Sequence, residues 1–193
     1  MNRIGVWGDS ITWGASDLEL GGWVSRLRIH LDNNFEDGPS VYNVGIGGDK
    51  VSDVMKRFDV EYEARKPETI ILAIGINDSP HDSNPKGTPL DLFEQRFNEL
   101  VSKIKEVSGK LIIIGLTNVD NEHPDDHGYS DETVGPYAEV VQKVATQKQL
   151  PYVDLWGVIT KDDLKRDGLH PEEAGHEKIF QKIKATLLKE LDL

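Results

Sequence analysis

Cysteine is absent from the 193 residues, which removes disulfide cross-links, a thiolate nucleophile and thiolate-ligated zinc. Any nucleophile must be oxygen or nitrogen. Positive charge is scarce as well: 22 Lys and Arg stand against 34 Asp and Glu, a formal net charge of −12. A field of that sign repels phosphate backbones and strongly anionic substrates, and no basic stripe interrupts it, so nucleic acid is not an expected partner. No apolar run reaches the roughly 18 residues of a membrane-spanning helix, and membrane insertion is not expected. Met1-Asn2-Arg3 leads directly into Ile4-Gly5-Val6-Trp7, without the apolar core and small-residue cleavage site of a secretory signal, a pattern that points to the cytoplasm. What remains, 37% apolar and 29% charged residues with only 9 Pro, is the composition of an ordinary folded chain whose length suits one domain over residues 1–193.

Short apolar runs alternate with longer amphipathic ones, the pattern that builds a parallel sheet covered by helices. The strand candidates are Ile4–Trp7, Val41–Val44, Thr69–Ile74, Leu111–Leu116 and Tyr152–Leu155. Ile70-Ile71-Leu72-Ala73-Ile74 and Leu111-Ile112-Ile113-Ile114 are continuous apolar runs, as central strands buried on both faces require. Helices are expected over Gly22–Asn33, Val51–Ala64, Pro89–Val107, Glu132–Gln149 and Pro171–Leu191, with Pro171 in the first turn of the last. Leu92, Phe93, Phe97, Leu100, Val101 and Ile104 fall at helical spacing and give the third of these a face to bury. The expected fold is α/β: a three-layer α/β/α sandwich around a five-stranded parallel sheet of flavodoxin-like winding, order 2-1-3-4-5.

In such sheets ligands bind beyond the carboxyl ends of the strands. Gly8-Asp9-Ser10 follows the first strand, Gly45-Ile46-Gly47-Gly48-Asp49 the second, Gly75-Ile76-Asn77-Asp78 the third, and Asp167-Gly168-Leu169-His170-Pro171 comes after the fifth. These loops deliver Ser, Gly, Asn and His toward one rim. A serine hydroxyl is a weak nucleophile until a base takes its proton, and His170 is a candidate base. Asp167, three residues earlier, can reach the same imidazole if the loop curls into a turn. Developing negative charge on an ester oxygen needs preorganised donors, which a close-approaching glycine N–H and a neutral Asn amide supply.

In order and placement these blocks resemble the SGNH/GDSL hydrolase family, from Gly8 to Pro171. The matching segments are Gly8-Asp9-Ser10-Ile11-Thr12-Trp13-Gly14, Asn43-Val44-Gly45-Ile46-Gly47-Gly48-Asp49, Gly75-Ile76-Asn77-Asp78 and Asp167-Gly168-Leu169-His170-Pro171. The resemblance implies an SGNH-hydrolase fold and a serine esterase or acylhydrolase with Ser10 as nucleophile, His170 as base and Asp167 behind it. It also implies an oxyanion hole made by the N–H groups of Ser10 and Gly48 and the side-chain amide of Asn77. Gly47 competes with Gly48; the family habit of a donor glycine directly before Asp or Ser/Thr favours Gly48. No cofactor or metal is implied, and the expected partner is a small ester with a short acyl group. Carbohydrate acetyl esters, thioesters and lysophospholipids are alternatives on the same triad, and nothing in the sequence addresses oligomeric state.

Other readings of the same residues stand beside this one. Ser10 could merely cap a helix starting near Ile11. Asp9 and Asp78 read as loop-fixing residues, and His176 as a helix-surface residue. Trp13 and Trp23 could line an acyl pocket or pack the first helix. No Gly-x-Ser-x-Gly elbow exists, which argues against an α/β-hydrolase. Lys50 stands where a dinucleotide loop needs its third glycine. His123 and His127 lie in an acidic loop, Asp120 to His127, but Pro124 argues against one helix presenting both to a metal. A reading from another class is a non-catalytic receiver or binding domain of flavodoxin-like form, with Asp9, Asp78 and Lys161 as its acidic site and lysine.

Overall fold

The computed structural model describes residues 2–121, 128–165 and 167–193. Five strands, β1 (Arg3–Gly8), β2 (Ser40–Gly45), β3 (Thr69–Ala73), β4 (Lys110–Ile114) and β5 (Tyr152–Val153), form one parallel sheet in the order β2-β1-β3-β4-β5. The expected order is the one observed. Successive side chains of a strand point to opposite faces. Ile4 to Gly8 of β1 and Thr69 to Leu72 of β3 are all buried, so both faces are covered.

The covering helices are α1 (Ser10–Trp13), α2 (Trp23–Asn34), α3 (Val51–Arg65), α4 (Leu90–Val107), α5 (Asp131–Gln147) and α6 (Glu173–Leu191). They pack in two groups, α1 on α2 and α2 on α6, and α3 on α4 on α5. The anticipated face of α4 is the buried one: Phe93, Phe97, Leu100, Val101 and Ile104 all lie in the core. Asp131–Gln147 begins where Ser130 caps it, accepting from the Thr133 N–H at 3.2 Å.

The start of one helix and the ends of three strands differ from expectation for identifiable reasons. Pro171 lies outside α6, whose N-cap is Glu172. It is held extended in an antiparallel bridge to Leu164, and the Lys165 N–H donates to the His170 carbonyl at 2.8 Å, so the chain there pairs with a neighbour before it can coil. The strands also stop earlier than their apolar runs. Ile74, Leu116 and Leu155 continue into buried loop positions, because burial persists after the ladder ends.

Gly8 closes β1 opposite Gly45 of β2 and Ala73 of β3. A Cβ at Gly8 would sit 2.1 Å from Thr12 Oγ1 and 2.4 Å from the Ala73 carbonyl oxygen. Thr12 belongs to α1, so α1 can turn back directly over the end of β1 only when residue 8 has no side chain. Gly8→Ala should therefore cost about 1–3 kcal/mol, the usual cost of overpacking. Thermal unfolding should show Tm lower by roughly 3–10 °C. An unchanged Tm would mean that the close approach relaxes freely.

Candidate active site

The tight exit from β1 determines where Ser10 lies. Asp9 is the N-cap of α1, and its Oδ1 accepts from the Ile11 N–H at 3.0 Å. The cap is thus Asp9, which leaves Ser10 as the first helical residue with its hydroxyl free for other contacts. That hydroxyl lies 2.8 Å from His170 Nε2, and His170 Nδ1 lies 2.8 Å from Asp167 Oδ2. The other Asp167 oxygen accepts from the N–H groups of Leu169 at 3.0 Å and His170 at 2.9 Å. The loop curls back on itself, as the three-residue spacing requires. Burial alone would raise the Asp167 carboxyl, but the His170 N–H, the His170 imidazole and the Leu169 N–H outweigh it and hold it below the ordinary carboxylate value. An ionised Asp167 favours a proton on Nδ1, which presents Nε2 to Ser10 as an acceptor.

The second and third blocks meet this chain from the neighbouring strand ends. Asn43 ties β2 to α1: its Nδ2 donates to the Thr12 carbonyl at 2.9 Å, and its Oδ1 accepts from the Gly45 N–H at 2.9 Å. Gly48 holds φ at +79°, a conformation that favours glycine. Asn77 sits in a short 3-10 turn after β3, where its Nδ2 donates to the Asp49 carbonyl at 3.0 Å and its Oδ1 accepts from the Tyr129 hydroxyl at 2.8 Å. Ser10, Gly47, Gly48, Asn77 and His170 all line one cleft of about 470 Å³, together with Trp13, Ala15, Lys50, His81, Ser83, Asn84, Tyr129 and Leu169.

Several sequence readings are resolved here. Asp78 is fully buried and accepts from the Val51 N–H at 2.9 Å and the Thr88 hydroxyl at 2.7 Å, which pins the β3 loop to the start of α3 and to the segment before α4. That is the loop-fixing role. It leaves Asp78 no access to a phosphate donor, while Lys161 lies in a separate exposed turn, Lys161–Asp163. Trp13 is 62% exposed at the cleft rim, whereas Trp23 is 1% exposed and packs in the core. His176 is not on a helix surface. It is fully buried, and its Nε2 donates to the Ala15 carbonyl at 3.0 Å, bracing the loop that follows α1. His123 and His127 lie outside the described residues. Tyr129 and His81 went unmarked in the sequence because no spacing links them to the blocks; a lone histidine three residues beyond Asp78 was the only available cue.

A family model described as GDSL-like Lipase/Acylhydrolase family matches residues 6–178. The chain belongs to this family. This GDSL protein is accordingly an ester-hydrolysing enzyme. It is 28% identical over 153 residues to an acetylxylan esterase of Geobacillus stearothermophilus, covering 73% of this chain and 68% of that one. A GDSL esterase/lipase of Arabidopsis thaliana is 25% identical across 97% of this chain and 86% of its own. The solved structure of the Geobacillus stearothermophilus acetylxylan esterase matches with a TM-score of 0.80 at 24% identity, covering 96% of this chain and 94% of that one, which shows a shared fold.

One carboxyl of this GDSL enzyme stands apart from the Asp167–His170–Ser10 contacts. Burial, with a smaller contribution from nearby Asp49, raises Asp9 from 3.8 to about 7 despite the N–H groups of Ile11 and Thr12. The folded value lies above the unfolded one, so between about pH 4 and 7 the folded protein holds a proton that the unfolded chain has released. Stability from this group therefore falls as pH rises through that window, and the loss is complete above it. Asp9→Asn keeps an acceptor for the Ile11 N–H and abolishes the titration. Between pH 5 and pH 8 the variant should gain roughly 2–3 kcal/mol on the parent, read as the difference of their Tm values at each pH. A difference that stays flat or changes in the opposite direction would show Asp9 ionised throughout.

Proposed function

We propose that this GDSL enzyme hydrolyses carboxylic esters of short acyl groups by acyl transfer through Ser10. The observation that carries the reading is the continuous chain of 2.8 Å contacts from Asp167 through His170 to Ser10, opening onto a cleft. Ser10 Oγ adds to the ester carbonyl carbon as His170 Nε2 takes its proton, and the carbonyl electrons move onto oxygen. The N–H groups of Ser10 and Gly48 and the second Nδ2 hydrogen of Asn77 receive that oxyanion. Collapse breaks the bond to the alkoxy oxygen, which leaves with the proton from His170. Water, deprotonated by His170, then attacks the acyl-enzyme, and the carboxylic acid departs as Ser10 regains its proton. Asp167 holds the Nδ1 proton and stabilises the imidazolium throughout. Structures described as catalytic mutants of the Geobacillus esterase replace a serine, and an aspartate and a histidine three positions apart. That pattern supports carrying the same roles onto Ser10, Asp167 and His170.

Ser10→Ala should abolish ester hydrolysis, with kcat lower by at least about four powers of ten, while leaving Tm within a few degrees. It should also abolish labelling by a fluorophosphonate. Wild-type turnover in the purified variant would overturn the assignment.

The cleft lining supports the short acyl group. Among the described residues Ala15 and Leu169 are its only aliphatic side chains, against Lys50, His81, Ser83 and Asn84. A long acyl chain would meet just these two aliphatic side chains, beside the rings of Trp13 and Tyr129. The same lining favours a second, finer reading in which the alcohol half is an acetylated carbohydrate: the exposed Trp13 indole offers a flat face for a sugar ring, and the polar groups offer partners for its hydroxyls. On p-nitrophenyl esters kcat/KM should fail to rise from acetate to octanoate. A methylene left uncovered forgoes the roughly 0.8 kcal/mol that its burial would contribute. Acetylated xylooligosaccharides should be hydrolysed, and Trp13→Ala should raise their KM more than that of p-nitrophenyl acetate. A preference for octanoate would refute the short-acyl reading.

A further inference from the structure

The Asn77 carboxamide is held at both ends. The Asp49 carbonyl, 3.0 Å away, can only accept, so the atom facing it is nitrogen. The other end is then the amide oxygen, and the Tyr129 hydroxyl 2.8 Å from it must be the donor. One Nδ2 hydrogen is committed to Asp49, and the second belongs to the cleft that Asn77 lines. A single hydrogen bond lets an Asn side chain twist about its last torsion, which is broad in energy. Two bonds at opposite ends fix that twist.

Tyr129 is itself firmly placed. It is 5% exposed, and its ring stacks on the His81 imidazole at 4.4 Å with 10° between the planes. His81 Nδ1 lies 2.7 Å from the Ser79 carbonyl and so carries the proton; Ser79 Oγ donates to the Ile76 carbonyl at 2.7 Å. The support returns to the short turn that bears Asn77. Burial first, and then the nearby Asp9 and Asp78 carboxylates, push the Tyr129 hydroxyl well above its ordinary value, which keeps it a donor at any working pH.

We infer that Tyr129 is a positioning residue for ester hydrolysis: its hydroxyl locks the Asn77 carboxamide in the orientation that points the free Nδ2–H at the developing oxyanion. Hydrogen bonding to the amide oxygen also draws electron density from nitrogen and strengthens that N–H as a donor. The inference rests on the reading of Asn77 as an oxyanion donor given above.

A double-mutant cycle on the full chain separates the two claims. Asn77→Ala should lower kcat by roughly a hundredfold with little change in KM. Tyr129→Phe should lower kcat about tenfold with KM within about twofold, and in the Asn77→Ala background it should cost nothing further, within about twofold. Losses that multiply in the double variant would place Tyr129's effect elsewhere and overturn the inference while leaving the oxyanion reading intact. A change confined to KM, or no change in Tyr129→Phe, would overturn it as well. Wild-type kcat in Asn77→Ala would overturn both. Independently of whether any variant folds, the Asn77 Nδ2 proton that donates to the Asp49 carbonyl in the wild-type protein should exchange with solvent more slowly than the side-chain amide protons of exposed asparagines, as read by nuclear magnetic resonance. Exchange as fast as that of an exposed asparagine would contradict a carboxamide fixed at both ends.

Discussion

Everything at the cleft depends on the packing of the α1 turn against the end of the central strand. β1 pairs with β2 on one side and β3 on the other, so the chain reverses its direction of winding there. The missing side chain at Gly8 lets Thr12 and the Ala73 carbonyl close over the strand end. Gly45 serves the same purpose on the neighbouring strand, where a Cβ would meet the Trp13 backbone nitrogen at 2.5 Å. With both glycines in place the Asp9 cap can form, and Ser10 emerges at the point where the loops after β2 and β3 diverge.

The carboxylates around this turn divide by what faces them. Asp167 meets donors on both oxygens and is held below the ordinary carboxylate value. Asp49 accepts from Arg57 at 2.7 Å, yet burial pushes its carboxyl upward. Burial likewise raises Asp78, outweighing the Val51 N–H and the Thr88 hydroxyl. The same residue type thus orients an imidazole in one loop, holds a guanidinium in a second and fastens a backbone in a third. Only the count and kind of donors distinguish these tasks, and none of that is visible in the composition of a Gly-Asp or Asn-Asp pair.

Fold was legible wherever hydrophobic periodicity was strong: the apolar runs of β3 and β4 and the striped face of α4 leave few alternatives. The juxtaposition of Ser10, Asp167 and His170 was legible because all three fall in blocks whose order and spacing have chemical meaning together. What escaped were properties set by tertiary neighbours. Pro171 suits a helix start by its ring geometry, and only the bridge to Leu164 makes it extended. His176 sits in a helix of ordinary polarity, and only the approach of the Ala15 carbonyl buries and pairs it. Tyr129 reaches Asn77 across 52 positions, a contact no local pattern encodes.

The contact between Ser10 and His170 spans 160 positions of the chain. Ribosomal synthesis therefore delivers the hydroxyl 160 residues ahead of the imidazole. Until the segment of Asp167 and His170 reaches α1, the Ser10 hydroxyl lacks this partner, however complete the sheet around it has become. The contact thus registers the meeting of the exit from β1 with the loop before α6, and a chain interrupted before residue 170 could not form it.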